Sequence, residues 1–238
     1  MNQATADAAL RAAAYVEAHG DPLARARADA LVGRGSASDV VALLAPTSDP
    51  ALLREALAIC DDLRALGDPR VRDWAEALAR DQSDDGGFAA ALAPEARRFE
   101  TGMIAGLLAR TRYARPQVLP AAAEFLAAQW SPDLVQGGSW RMISAFASCF
   151  ANVDHEASDA ILQWCGRELG RAFVTRAFDA VRTARVLVSC DAHGLPGSQL
   201  AREDLVIALV TEQRADGSFA DGVAATLDGL VALRRLAG

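Results

Sequence analysis

Lysine is missing from this chain, so its basic charge rests on arginine. That charge falls short of the acidic side chains, 24 against 31, for a formal net charge of -7. A nucleic-acid-binding face needs a basic surplus, so no nucleic-acid partner is expected, and ordinary solubility accounts for the balance. Long apolar runs are also missing. No stretch reaches the roughly 18 apolar residues of a membrane-spanning helix, so no transmembrane segment is expected. Residues 1–20 lack a basic start followed by an apolar block and read as an amphipathic helix. No signal peptide is therefore expected, and the expected location is cytoplasmic. The four cysteines, Cys60, Cys149, Cys165 and Cys190, show no Cys-x-x-Cys spacing. In a reducing compartment they are expected to be free thiols buried in helices. There is no Gly-x-Gly-x-x-Gly and no P-loop, and neither His19 nor His155 has a nucleophile in a recognisable triad order.

What is present is apolar and repetitive. With 238 residues and 52% hydrophobic composition, the chain can bury the core of one domain. Alanine enrichment reads as helix propensity and, with the lysine lack, as a GC-rich bacterial composition. The organising stretch runs from Asp204 to about Leu236. An apolar helix ends in Glu212-Gln213, a turn Asp216-Gly217-Ser218-Phe219 follows, and a second helix begins near Asp221, with Thr226 in it. Gly217 supplies a backbone conformation that other residues resist. The second helix is apolar on nearly every face, so it must be buried on nearly every face.

One such hairpin cannot bury itself, and degenerate copies are present. Gln82 leads through Gly86-Gly87-Phe88 to a helix beginning at Glu100-Thr101. Phe125 to Gln129 leads through Gly137-Gly138-Ser139-Trp140 to an apolar run, Met142 to Phe150. Gln163 leads to Gly170-Arg171-Ala172-Phe173 and a helix from about Thr175 to Cys190. The glycine-aromatic turns recur roughly every 35 to 50 residues, a helical-hairpin period. Upstream, Ala4–Ala18 pairs with Pro22–Val32, and Ser38–Leu44 pairs with a helix over Pro50–Leu66. Ser36 or Ser38 and Asp49 serve as N-caps. The longest loops are expected at Ala89–Arg98 and Ser131–Gly138.

The pattern Gln-x-x-Asp-Gly-Ser-Phe followed by Ala-Thr-Leu-x-x-Leu-x-Ala-Leu resembles the repeat of terpenoid cyclases and protein prenyltransferase β-subunits. The resemblance spans about two thirds of the chain. It implies that residues 1–238 form a single all-α domain, an α/α toroid of six hairpins (an α6/α6 barrel). The helix after each glycine-aromatic turn would be an inner one, its N-terminus at the mouth of a central cavity. It implies a cytoplasmic cyclase of isomerase or lyase type, taking a hydrophobic isoprenoid or polyene substrate in natural-product biosynthesis. The alternative is a non-catalytic hydrophobic-ligand-binding or scaffold protein on the same fold. The Asp-x-Asp-Asp acid motif of the cyclases does not occur: Asp84-Asp85 belongs to a turn, and Asp61-Asp62 lies at the C-terminal end of an inner helix. No histidine stands where the prenyltransferases hold zinc, and Cys190-Asp191-Ala192-His193 is weak metal evidence. No metal and no cofactor are expected, and the composition does not decide oligomeric state.

Charges on the buried inner helices are the informative ones. Arg176, Asp179, Arg182 and Arg185 recur every three residues, and Asp179 is expected to pair with Arg176 and Arg182. Such a cluster is either a cavity wall or a structural ion-pair network. Glu100 is either an acid-base group or helix-start electrostatics, and Arg54 with Glu55 is a similar pair. Asp179 and Glu100 are the catalytic candidates. Arg176 and Arg141 are candidate anchors for a polar head, with Trp140, Phe146, Met103 and Thr226 as the remaining substrate-binding residues. Met142 has the same two readings as those aromatics, core or cavity wall.

Overall fold

The computed structural model describes residues 2–220 and 222–237, and every regular element among them is helical. The helices are α1 (Gln3–His19), α2 (Pro22–Val32), α3 (Ala37–Leu43), α4 (Pro50–Asp62), α5 (Pro69–Asp81) and α6 (Pro94–Ala109). They continue with α7 (Val118–Ala127), α8 (Trp140–Phe150), α9 (Ser158–Val174), α10 (Ala180–Ser189), α11 (Arg202–Glu212) and α12 (Val223–Leu236). A single 3-10 turn, Pro132–Leu134, lies in the loop before α8.

Local chemistry sets most helix starts. Asp21-Pro22, Asp49-Pro50 and Asp68-Pro69 each place a carboxylate cap before a proline at the first helical position. Ser36 caps α3 in a capping box with Asp39. Several boundaries differ from the sequence expectation. The helix expected through Leu66 ends at Asp62, because Arg64 turns left-handed (φ 58°) and the chain closes Ala65 N–H onto the Cys60 carbonyl at 2.7 Å. The loop expected over Ala89–Arg98 is partly helix, since Pro94 starts α6. Gly170 does not make a turn. It lies inside α9, where a side chain at Gly166 or Gly170 would put a Cβ 2.0 Å from the Pro196 or Ser198 carbonyl oxygen. These glycines admit a neighbouring backbone, and the turn falls later, at 175–179. The start expected near Asp221 falls on a residue outside the described ones.

Each even-numbered helix packs on the odd-numbered helix that follows it, and α12 packs on α1. The expected pair of α3 with α4 is not a close one; α3 packs on α2, and α4 on α5 and α6. The even-numbered helices also form one contact series, α4–α6–α8–α10–α12–α2. Arg27 of α2 and Asp62 of α4 join its two ends at 3.3 Å. The even helices carry the core: every residue of α8 from Met142 to Phe150 is buried. α6 and α8 approach so closely that a Cβ at Gly102 would meet the Ala145 carbonyl oxygen at 2.3 Å.

Two turns repeat the same construction. Gly86 and Gly217 both adopt φ 89°. The Gln82 side-chain amide donates to the carbonyls of Gly86 and Val118, and that of Gln213 to those of Gly217 and Ala8. The Phe88 N–H donates to Thr101 Oγ1 at 3.0 Å, and the Phe219 N–H to Thr226 Oγ1 at 3.1 Å. Both rings are buried. The first turn docks on α7, the second on α1, so α1 takes for the last hairpin the place that α7 takes for the third.

Candidate functional site

The N-terminal ends of α8, α10 and α12 border a cavity of about 540 Å³. Trp140, Val181, Ala224 and Ala225 supply its apolar wall, and Asp179, Arg182, Arg185 and Asp228 its charges. Trp140 is held by its indole N–H, which donates to the Arg182 carbonyl at 3.1 Å. Phe99 packs on the same indole, ring centroids 6.2 Å apart. Beside it, the Arg141 guanidinium sits 4.5 Å above the Phe99 ring.

The structure brings together some of the expected residues and separates others. Asp179 does line the cavity, but as the N-cap of α10 and not as a residue within a helix. Its Oδ1 accepts from the Arg182 N–H at 2.7 Å. The expected pairing with Arg176 is absent because the backbone breaks there. Arg176 takes φ 60°, is exposed, and pairs with Glu212 at 2.8 Å. Glu100 is buried in the middle of α6, not at its start, and accepts from Arg54 Nε at 2.7 Å. It does not line the cavity; its chain neighbour Phe99 packs on Trp140. Arg141 is exposed, and Met103 half-buried. Phe146 and Met142 belong to the core: Phe146 packs between Trp130 and Phe150 at 4.8 and 6.3 Å. Thr226 is also core. Its hydroxyl accepts from Phe219 and donates to the Gly222 carbonyl, and the residue is fully buried.

Asp228 was not singled out by the sequence reading. It lies one turn into α12, 3.2 Å from Arg185 Nε, with 41% of its side chain exposed at the cavity, and desolvation of the rest raises its pKa despite that arginine. The signal was there: a carboxylate between Leu227 and Gly229 on a helix that must be buried.

The densest charge cluster lies at the opposite end, around the C-termini of α4, α6 and α12. Asp62 accepts from Arg185 at 2.7 Å and from Arg27 at 3.3 Å. Asp61 accepts from Arg110 at 3.1 Å, while Arg235 donates to the Asp61 carbonyl at 2.8 Å and to Asp191 at 2.5 Å. Burial raises the pKa of Asp61, which Arg110 and Arg235 only partly offset. Burial also opposes the charge of Asp191, but the Arg235 hydrogen bond and charge outweigh it and hold that pKa below the usual range. For Arg185, burial disfavours the cation, yet Asp62 and Asp228 together overcome it and raise its pKa. This network spans the helices: Arg185 touches Asp228 in the cavity and Asp62 beyond it.

The four cysteines are unpaired and buried, and burial pushes the thiols of Cys60, Cys149 and Cys190 up to about 12. Cys190, Asp191 and His193 do not converge; among the described residues no three His, Cys, Asp or Glu side chains are placed to hold a metal ion. No helix among them is long and apolar enough to cross a membrane. No family model, curated protein or solved structure matches this chain.

Proposed function

We propose that the six hairpins close into an α/α toroid, and that the cavity at the helix N-termini binds a hydrophobic small molecule and cyclises or rearranges it by proton transfer. The contact series of the even helices, its two ends joined by the Arg27–Asp62 ion pair, and the equivalent places of α1 and α7 support the ring. The observation that carries the function is the cavity. Its volume of about 540 Å³ falls in the range of small-molecule sites, and it joins an apolar wall to a few convergent charged groups. Asp228 is the proton donor in this reading. Its raised pKa keeps a proton available nearer neutrality than an ordinary carboxyl would. Asp179 is the second carboxylate, partly committed to its capping bond. The Trp140 face stabilises positive charge that develops on the substrate, and Arg182 holds a polar end. A cytoplasmic setting suits four unpaired thiols.

A scaffold reading has one observation in its favour: large side chains of the even helices, among them Phe146, Ile143 and Ile104, are fully buried and belong to the core. The two readings part in one experiment. Linear isoprenoid polyenes are incubated with the protein in deuterated water and the products analysed by mass spectrometry. A proton-initiated cyclisation returns an isomer carrying deuterium, and Asp228→Asn lowers its rate roughly 100-fold or more with ligand binding retained. No product from any polyene, and no apolar molecule extracted from the purified protein, would establish the scaffold instead.

A further inference from the structure

The end of the molecule opposite the proposed reaction cavity holds two more cavities, of about 460 and 360 Å³, and the side chains of Arg64 and Arg235 line both. The charge count around them is uneven. Asp61, Asp62 and Asp191 are already engaged by the buried or half-buried guanidiniums of Arg27, Arg110, Arg235 and Arg185, the last of which Asp228 also balances. Arg64 and Arg234 remain at the rim. Arg64 is 68% exposed and, among the described carboxylates, reaches only Asp191, at 3.9 Å. Arg234 is exposed and has no carboxylate partner among the described residues. The rim of a chain with net charge -7 is therefore locally positive.

A further observation points the same way. Arg234 and Leu31, which line the larger cavity, also line an apolar cleft of about 160 Å³ formed with Ala9, Leu10 and Leu230. A guanidinium surplus beside an apolar cleft matches an oxyanion, such as a phosphate, joined to a hydrocarbon. The C-terminal helix ends here oppose an anion, so the arginines must hold it by direct contact.

We infer that this end is a second binding site, for the phosphate or diphosphate head of an amphiphilic molecule, with Arg64 and Arg234 as its contacting cations. The head belongs either to a free phosphorylated amphiphile or to a membrane lipid, and the test separates the two. Inorganic pyrophosphate is titrated calorimetrically into the wild-type chain, the double variant Arg64→Gln/Arg234→Gln, and the control Arg72→Gln, which removes an exposed arginine of α5. In parallel, vesicles of phosphatidylglycerol in phosphatidylcholine are co-sedimented with each protein and compared with pure phosphatidylcholine. Both rim arginines are exposed, so the double variant keeps the wild-type melting temperature. Pyrophosphate affinity that falls tenfold or more in the double variant, and holds in the control, assigns the site to a free phosphorylated ligand. Anionic-vesicle binding with the same pattern, and no pyrophosphate binding, assigns it to a lipid headgroup. Absence of both, or equal losses in Arg72→Gln, overturns the proposal.

Discussion

The two ends of the even-numbered helices carry the same kinds of charge and treat them oppositely. At the N-terminal end, Asp179, Arg182 and Asp228 border an open cavity, and only Arg185 among the cavity charges is tied to a deeply buried partner. At the C-terminal end, Asp61 and Asp62 keep side-chain exposures of 9% and 3% and are surrounded by arginines. The cause is partly the helix dipole. A carboxylate caps a helix start on favourable terms but opposes the negative pole at a helix end, so Asp61 and Asp62 persist there only with cations against them. Arg110 and Arg235, at the ends of α6 and α12, sit where the dipole welcomes a cation. A charge available to a ligand and a charge consumed by the fold are thus told apart by the number of partners within reach.

The comparison breaks most visibly at the buried end. Arg235→Met should leave Asp61 and Asp191 short of a cation and cost about 3–5 kcal/mol in chemical denaturation. A loss below about 1 kcal/mol would mean that water already reaches the network. At the cavity end the largest effect should come from the turn. Gly217→Val forces a branched side chain into φ 89° and against the Arg11 carbonyl, where a Cβ would lie at 2.4 Å. A loss of about 2–3 kcal/mol is expected, and a repacked but equally stable variant would show that α1 can shift away. Thr226→Val keeps the volume but orphans the buried Phe219 N–H, for about 1–2 kcal/mol. Asp179→Ala removes a cap and should cost about 1 kcal/mol, whereas Asp179→Asn should be nearly neutral because asparagine caps as well. Equal losses in both would assign Asp179 an ionic role.

The smallest expected effect has the opposite sign. The folded state raises the Asp228 pKa, so it holds this proton when the unfolded chain has already lost it. The group's contribution to stability is greatest below the unfolded value, near 3.8, and falls as the pH climbs through the folded value. Asp228→Asn removes that decline. Its melting temperature relative to wild type should therefore rise over the pH interval above about 4. A difference that shrinks over the same interval would mean that the Arg185 pair stabilises the ionised carboxylate more than burial opposes it.

What could be read from residue order was whatever depends on near neighbours. The turn Gln213 to Phe219 and its copy Gln82 to Phe88 were legible because a glycine at positive φ and a buried aromatic are local demands. The helix starts at Pro22 and Asp49-Pro50 were legible for the same reason. The all-helical class followed from apolar residues repeating at helical spacing. Among the site residues, Trp140 was found because it closes a glycine-aromatic turn, and Asp179 because it is a charge in an otherwise apolar stretch. Their surroundings were not. Gly170 looked like another turn glycine, and only the Ser198 carbonyl pressed against it reveals a packing glycine. Asp179 looked like a helix residue paired along one face, and only the left-handed Arg176 shows that the helix begins after it. Phe146 and Thr226 suited a cavity wall in composition and turned out to be core.

Tertiary structure alone decided the partners of the charges. Arg185 lies 123 residues from Asp62, and Arg235 lies 174 from Asp61. No window along the chain contains both members of either pair. The chain determined by itself that it would fold into buried helices joined by glycine turns, because backbone geometry and hydrophobic period are properties of a few successive residues. Which carboxylates are neutralised in the interior and which face a cavity depends on where distant helices meet. That is set only when the core packs, because the energy of a charge is fixed by its solvent and its neighbours in space, not by its place in the chain.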